Sequence, residues 1–368
     1  MAESLAAGAP ASARSSSALP HAYTAALALL SLAAIAAGGF WPLVVLGWLF
    51  LGHVAMEVLL GNRFPARDPA PAAEPWTFTA VLLAVLPLQV AILGFGLWRL
   101  TLSAEPATVL EWIGIVALMG STAGSFGITA AHELVHRREG WQRAAGIALL
   151  LIAHIPHFRI EHVHNHHPNV GTPKDPATAR EGESVYAFFP RSIVGQYRSA
   201  WGIEADRMRR RGRHAYGAGN RMLHYLALQA VLDVGVLLLF GWAGLAVLLA
   251  QALIAVWLLE TVNYVEHYGL SRRPLDPEGR RYEKLSAAHS WNAGQAATNV
   301  VLFNLGLHSA HHMEAARPYP ALYNGPDMPQ LPTGYSGSVM LAMNPPLWFR
   351  LMAPRLAAAR AAAAGATG

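Results

Sequence analysis

The sequence contains no cysteine. Disulfides, thiolate-ligated haem, cysteine-held iron–sulfur clusters and thiol nucleophiles are therefore excluded. A fused iron–sulfur carrier is excluded too, so any electrons the chain uses come from another protein. Charge is also scarce. Charged residues make up 13% of the 368, against roughly 25% in a soluble globular domain. Much of the surface is therefore not facing water. The 27 Lys+Arg exceed the 22 Asp+Glu by only +5, which gives no ground for a nucleic-acid partner. No arrangement of side chains suited to nucleophilic or general-base catalysis stands out. Two things are plentiful instead: hydrophobic residues, at 54%, and histidine, at 17.

The hydrophobic residues fall in long runs. A transmembrane helix needs about 20 mostly apolar residues, and six segments qualify: 21–38, 40–60, 76–98, 108–131, 222–242 and 244–264. A seventh run, 144–155, is too short to span. Only a few residues separate the first from the second and the fifth from the sixth, so both pairs read as helical hairpins. The first segment has small residues resembling a signal-peptide cleavage site; its hairpin spacing favours a retained helix. The sequence thus predicts an all-α integral membrane protein with six transmembrane helices. Arginine sets its orientation. Arg63 and Arg67 follow the second segment. Arg137 through the run Arg207 to Arg213 follow the fourth, and Arg272, Arg273, Arg280 and Arg281 follow the sixth. The links after the first and fifth have none, and the link after the third has only Arg99. Both termini and both long polar regions are expected on the cytoplasmic side of a bacterial inner membrane. Residues 1–20 and 356–368 are low in complexity and expected to be disordered, flanking one membrane domain at 21–355.

The histidines gather where apolar segments meet cytoplasmic ones. His132 and His136 stand i, i+4 at the end of the fourth segment, about 5–6 Å apart at Cβ on one helix face. His162, His166 and His167 form a second cluster, His267 ends the sixth segment, and His308, His311 and His312 form the last. Nine imidazoles at one membrane face exceed the need of one ion, and two ions with four or five nitrogens each is the natural partition. Imidazole-rich sites accept iron, zinc or copper. His132, Glu133 and His136 also match the HExxH of zinc proteases, but that site needs one more ligand and leaves six histidines unexplained. His21, His53, His154, His157, His164, His214 and His224 are left out of the metal set, as is His289, which is placed no closer than a supporting role.

These motifs resemble the membrane-bound alkane hydroxylases, the alkane 1-monooxygenases of the fatty-acid-desaturase-like superfamily. HExxHK/R matches His132 to Arg137. EHxxGHH matches Glu161 to His167, with Asn165 for glycine. NYxEHYGL matches Asn263 to Leu270 in full. LQRHSDHH matches Leu305 to His312 with Gly306, Leu307 and Ala310 as departures. Similarity extends over Thr172 to Arg180, Gly182 to Ser184, His289 to Asn292, Leu331 to Tyr335 and Pro345 to Trp348.

The resemblance implies a six-helix bundle under a cytoplasmic cap that carries two non-haem iron ions. Its ligands by motif match are His132, His136, His162, His166, His167, His267, His308, His311 and His312. Ligating histidines usually donate their other N–H to a carboxylate or carbonyl, and Glu133, Glu161, Asp175 and Glu266 are the candidates for that duty. The implied reaction is O2-dependent terminal hydroxylation of a medium- or long-chain n-alkane, with no catalytic side chain beyond the metal centre. The implied partners are rubredoxin or ferredoxin with its NAD(P)H-dependent reductase, and membrane lipid. Trp48 and Leu49, bulky residues inside the second segment, are candidates for the closed end of the substrate channel. A xylene-type methyl monooxygenase, an acyl-lipid desaturase and a non-enzymatic membrane anchor or metal transporter remain as alternatives.

Overall fold

The computed structural model describes residues 17–63, 74–325 and 328–365. Residues 1–16 of the expected N-terminal tail, and Arg67, lie outside the described residues. Among those described the architecture is helical, with isolated β-bridges and no longer strand. Five helices are long and apolar enough to cross a membrane. We number the helices in chain order. α1 is Tyr23–Ala37, extended at its start by the turn that begins at Leu19. α2 is Trp41–Leu60, α3 Trp76–Thr101 and α4 Val109–Val135. α5, Gly140–Ile152, is the short apolar helix. α6 covers 158–169 in three short pieces. α7 is Val185–Arg210, and α8 is Arg221–His267.

α8 has 47 residues, a length of ~70 Å if straight, more than twice a hydrocarbon core of about 30 Å. Gly241 resolves this with φ 69° and ψ −170°, a conformation that only glycine adopts readily. The chain turns back there. His154 Nε2 lies 2.8 Å from Asp233 on the first arm, while Gln251 on the second arm donates to the Ile152 carbonyl at 2.7 Å. Along a straight helix Asp233 and Gln251 would stand ~27 Å apart. The fifth and sixth segments are therefore the two arms of α8, 221–240 and 242–267. Leu238, Leu239 and Trp242 at its tip are exposed, as are Val58 and Leu59 on α2. Such an apolar outer surface suits hydrocarbon and not water.

The two ends of the bundle differ. At one end the links are short. Glu111 on α4 pairs with Arg99 at 2.7 Å and accepts from Gly39 N–H at 3.0 Å, tying the α1–α2 link to the ends of α3 and α4. At the other end lie the long polar regions and four further helices, three short and one of 21 residues. These are α9 Ala296–Val301, α10 His308–Met313, α11 Tyr335–Ala342 and α12 Pro345–Gly365. α12 runs past residue 355, where composition ended the membrane domain. Its last turns are rich in alanine, the best helix former.

Candidate metal centre

α4 and α8 set the frame. α4 carries Gly120-Ser-Thr-Ala-Gly124. A methyl on Gly120 would stand 2.6 Å from the Gln251 carbonyl oxygen, and one on Gly124 would stand 2.9 Å from Ala255 Cα. Glycines four residues apart thus let the two backbones touch, as small residues do between membrane helices. That contact brings His132 and His136 at the end of α4 beside His267 at the end of α8.

All nine sequence-selected histidines converge there, in two groups. His132, His136, His162, His167 and His311 form one; His166, His267, His308 and His312 form the other. Within each group the ligand nitrogens lie within 4.8 Å of one another. The pairs 132/136 and 308/312 stay together, as i, i+4 spacing requires. His162 and His166 do not. Residues His162–His166 form a π turn, which widens the helix so that i and i+5 share a face. His162 therefore meets His167, Nε2 to Nε2 at 3.0 Å, and His166 turns to the second group. The adjacent His311 and His312 also part. His164 is exposed, and His289 bonds Glu283 at 3.2 Å, outside both groups.

The donor set fits metal cations. In series, His136–His162, His162–His167 and His167–His311 approach through Nε2 at 3.1, 3.0 and 3.1 Å. In the second group, His267–His308 and His308–His312 do so at 3.2 and 3.0 Å. Around a cation with metal–nitrogen bonds of about 2.0–2.1 Å, neighbouring ligand nitrogens stand roughly 2.8–3.4 Å apart. A shared proton can link one such pair, but not four nitrogens in series. His132 has both ring nitrogens buried and without a hydrogen-bond partner. Burial pushes His162, His167, His308, His311 and His312 well below the usual imidazole range. Burial, with the charges of Arg159 and Arg137, takes His136 down to about 4. These rings are neutral at pH 7 and keep a lone pair for a metal.

The four carboxylates behave differently. Asp175 Oδ2 accepts from His166 Nδ1 at 2.9 Å and from Thr178 at 2.7 Å. Burial works against charge on His166, but Asp175 holds its pKa above the ordinary value. Glu266 accepts from the Tyr335 hydroxyl at 2.5 Å, and its other oxygen lies 3.3 Å from His308 Nε2. Glu133 comes no nearer than 3.8 Å to His132 Nδ1. Glu161 accepts from Asn165 at 2.8 Å, and burial and then Asp175 push its carboxyl up. Of the four carboxylates that the motif match offered, Asp175 and Glu266 thus stand against the second group, and Glu133 and Glu161 lie beside the centre.

A cavity runs from the centre into the bundle. His132, His162 and His308 form part of its wall, and Ile128, Leu258, Val301 and Val339 make it apolar. Leu49, Phe50 and His53 line it from α2. Trp48 is absent from the wall. It is 44% exposed, and its indole N–H donates to the Tyr23 hydroxyl at 2.8 Å. Neighbouring residues on a helix point about 100° apart, so one of the pair faces the cavity and the other does not. His53, set aside in the sequence because it stands alone there, lies in the same wall.

Comparison with known proteins now bears on this geometry. The fatty acid desaturase family profile matches residues 106–324. Alkane 1-monooxygenase 1 of Pseudomonas aeruginosa is 38% identical over 333 residues, 87% of this chain and 84% of that protein. Alkane 1-monooxygenase of Ectopseudomonas oleovorans is 36% identical over 323 residues, 87% and 79% of the two chains. The hydroxylase component of a Pseudomonas putida xylene/toluene monooxygenase is 31% identical over 329 residues, 87% and 84%.

Proposed function

Because the chain belongs to the alkane 1-monooxygenase family, within the fatty-acid-desaturase-like superfamily, we propose that it hydroxylates n-alkanes at a terminal methyl group. The balanced reaction takes R–CH3, O2, two electrons and two protons to R–CH2OH and water. The observation that carries this reading is an apolar cavity whose wall contains histidines of both groups. A substrate without any polar handle fits such a wall, and only the end of the chain reaches the nitrogens.

The two histidine groups would each hold one non-haem iron ion, which supplies O2 reduction and C–H oxidation when bound. The chain's own residues do the rest. Asp175 fixes the tautomer of His166, so that its Nε2 faces the second group. Tyr335 orients Glu266 beside His308. Leu258, Val301 and Val339 exclude water from the methyl group. Leu49 stands in the wall remote in sequence from every histidine cluster, and we place it where the far end of the substrate lies. Electrons come from a separate rubredoxin or ferredoxin and its NAD(P)H-dependent reductase, docking at the histidine end. The arginine-rich loops lie at that end, which the positive-inside rule assigns to the cytoplasmic face of an inner membrane.

The test uses membranes containing this protein with added reductase and rubredoxin, a series of n-alkanes, and analysis of products and iron. Formation of 1-alkanols by membranes holding about two iron ions per chain is the expected result. Alkenes, or no O2 consumption with alkanes, overturn it. The similarity to the xylene/toluene component supports a second reading, oxidation of an aromatic methyl group. Faster turnover of xylene than of any alkane would establish it.

A further inference from the structure

Arg159 has no part in the reading above. It is the second residue of α6 and is half-buried. A guanidinium offers five N–H donors and no acceptor, and it stays charged. Its Nη1 is sealed from water, and no described residue accepts from that atom. Other arginines of this region are provided for. Arg137 pairs with Glu74, and Arg143 donates to the Arg137 carbonyl at 2.9 Å. Arg207 and Arg221 share the buried carboxylate of Glu204. Arg207 donates to its two oxygens at 2.9 and 2.7 Å. Arg221 donates to one oxygen from its side chain at 2.8 and 2.5 Å, and to the other from its backbone N–H at 2.8 Å. Glu204 is the carboxylate whose charge reaches Arg159, and both its oxygens are taken. Burial works most against the charge on Arg159, and the guanidiniums of Arg221 and Arg143 add to that. A half-buried cation of this kind calls for an anion, and Glu204 has no oxygen left to give.

The surroundings indicate where the anion comes from. Ile160, the next residue, packs with Ala200 of α7 and with Met222 and Tyr225 in the first turn of α8. Arg159 thus stands where the polar cap meets the first arm of α8. Further along that arm Leu226, Leu228, Val231 and Val234 are exposed, a face suited to hydrocarbon. Trp201 packs on the same junction, and Trp and Tyr are the side chains that gather at membrane–water interfaces. A cation at headgroup level above an apolar helix face matches a phospholipid, with its phosphate on the guanidinium and its acyl chains along the arm. Because Glu204 is fully engaged, the ammonium of a zwitterionic headgroup finds only positive charge there.

We propose that Arg159, with Arg143 and Arg221 beside it, binds the phosphate of an anionic phospholipid in the leaflet at the histidine end, in preference to a zwitterionic lipid. The assignment does not depend on the alkane-hydroxylating reading.

The experiment places full-length protein in bilayers of phosphatidylcholine with a rising share of phosphatidylglycerol. Detergent then strips the lipid, and native mass spectrometry counts what each chain retains. One phosphatidylglycerol is expected to stay after phosphatidylcholine has gone. Arg159→Gln, with its melting temperature checked against the natural protein, weakens that retention about fivefold. Arg159→Lys keeps the charge but not the planar fork, and so keeps part of the retention. Arg350→Gln, at an exposed position on α12, leaves it unchanged. Equal retention of the two lipids by the natural protein overturns the inference without recourse to any variant. So does an equal loss in Arg159→Gln and Arg350→Gln, which would mean a general attraction of basic loops to anionic lipid. Displacement of the lipid by excess inorganic phosphate would assign the site to a free anion instead. Unchanged lipid retention in Arg159→Gln with a raised KM for rubredoxin would assign it to the donor protein.

Discussion

The two histidine groups are built from the same residue type, a few ångströms apart, yet they are not equivalent. The group of four has two carboxylates against it: Asp175 on His166 at 2.9 Å and Glu266 beside His308 at 3.3 Å. The group of five has none nearer than Glu133 at 3.8 Å; instead Arg137 and Arg159 press on His136. Carboxylates stabilise a cation and raise ligand basicity, whereas cationic neighbours do the reverse. The smaller group would make up through Asp175, bonded to the outer nitrogen of His166, what it lacks in nitrogens. Ligand number and electrostatics would then be alternative ways to hold an ion of the same charge.

The comparison is sharpest at the ligands themselves. His267→Ala leaves three nitrogens in the four-histidine group, whereas His136→Ala leaves four in the other. Loss of a supporting partner alone costs 10–100-fold, so losing a ligand in the smaller group is expected to reduce turnover by more than about 100-fold. Metal analysis should show about one iron ion per chain in His267→Ala and a smaller loss in His136→Ala. Equal losses would make the groups equivalent.

Next come the carboxylates. Asp175→Asn should lower metal affinity by about 10–100-fold at the four-histidine group alone. Glu133→Gln should change retention little. Chelator titration followed by iron analysis reads both, and a reversed order would sink the electrostatic argument.

A packing change tests the frame that both groups share. Gly124→Val places side-chain atoms into the backbone of Ala255 and should cost about 1–3 kcal/mol as overpacking. It should lower the melting temperature and the iron content of both groups together, because α4 carries two ligands of one and α8 carries one of the other. Loss from a single group would show that their geometries are independent.

A smaller effect is expected at the cavity. Leu49→Ala should shift preference toward longer alkanes, while Trp48→Ala, turned toward Tyr23, should leave the profile unchanged. Product analysis across a chain-length series decides. The smallest effect concerns the donor. Arg209, Arg210 and Arg211 are exposed, as are Arg280 and Arg281. Opposite charges steer encounter and are screened over about 8 Å at 0.15 M salt. High salt or charge reversal at either run should raise the KM for rubredoxin a few-fold with kcat unchanged. Indifference to both would leave the arginines with membrane orientation alone.

Much of this was legible in the sequence because i, i+4 spacing and apolar length are local properties. The nine histidines, the four long apolar helices and the two arms of α8 followed from them. The division of the histidines did not. It depends on the π turn at His162–His166, which no spacing rule reveals, and which parts two residues that an α-helix would keep on one face. The difference between Trp48 and Leu49 depends on which side of α2 meets its neighbours, a tertiary fact. Asp175 and Glu133 looked alike as carboxylates near histidines. Only the fold shows that the Thr172–Thr178 loop brings Asp175 against His166 while Glu133 stays outside hydrogen-bonding range.

His311 and His312 belong to different groups and are the last members of each in chain order. During synthesis at about 5–20 residues per second, both ligand sets become complete within about a fifth of a second of one another. Until then, every membrane helix up to His267 has been made while neither set is finished. Completion of both sets is accordingly a late event, after the membrane helices have been made, and a chain interrupted before residue 311 lacks a histidine of both groups. The adjacency of two histidines thus times the assembly of a centre whose parts are spread over 181 positions, from His132 to His312.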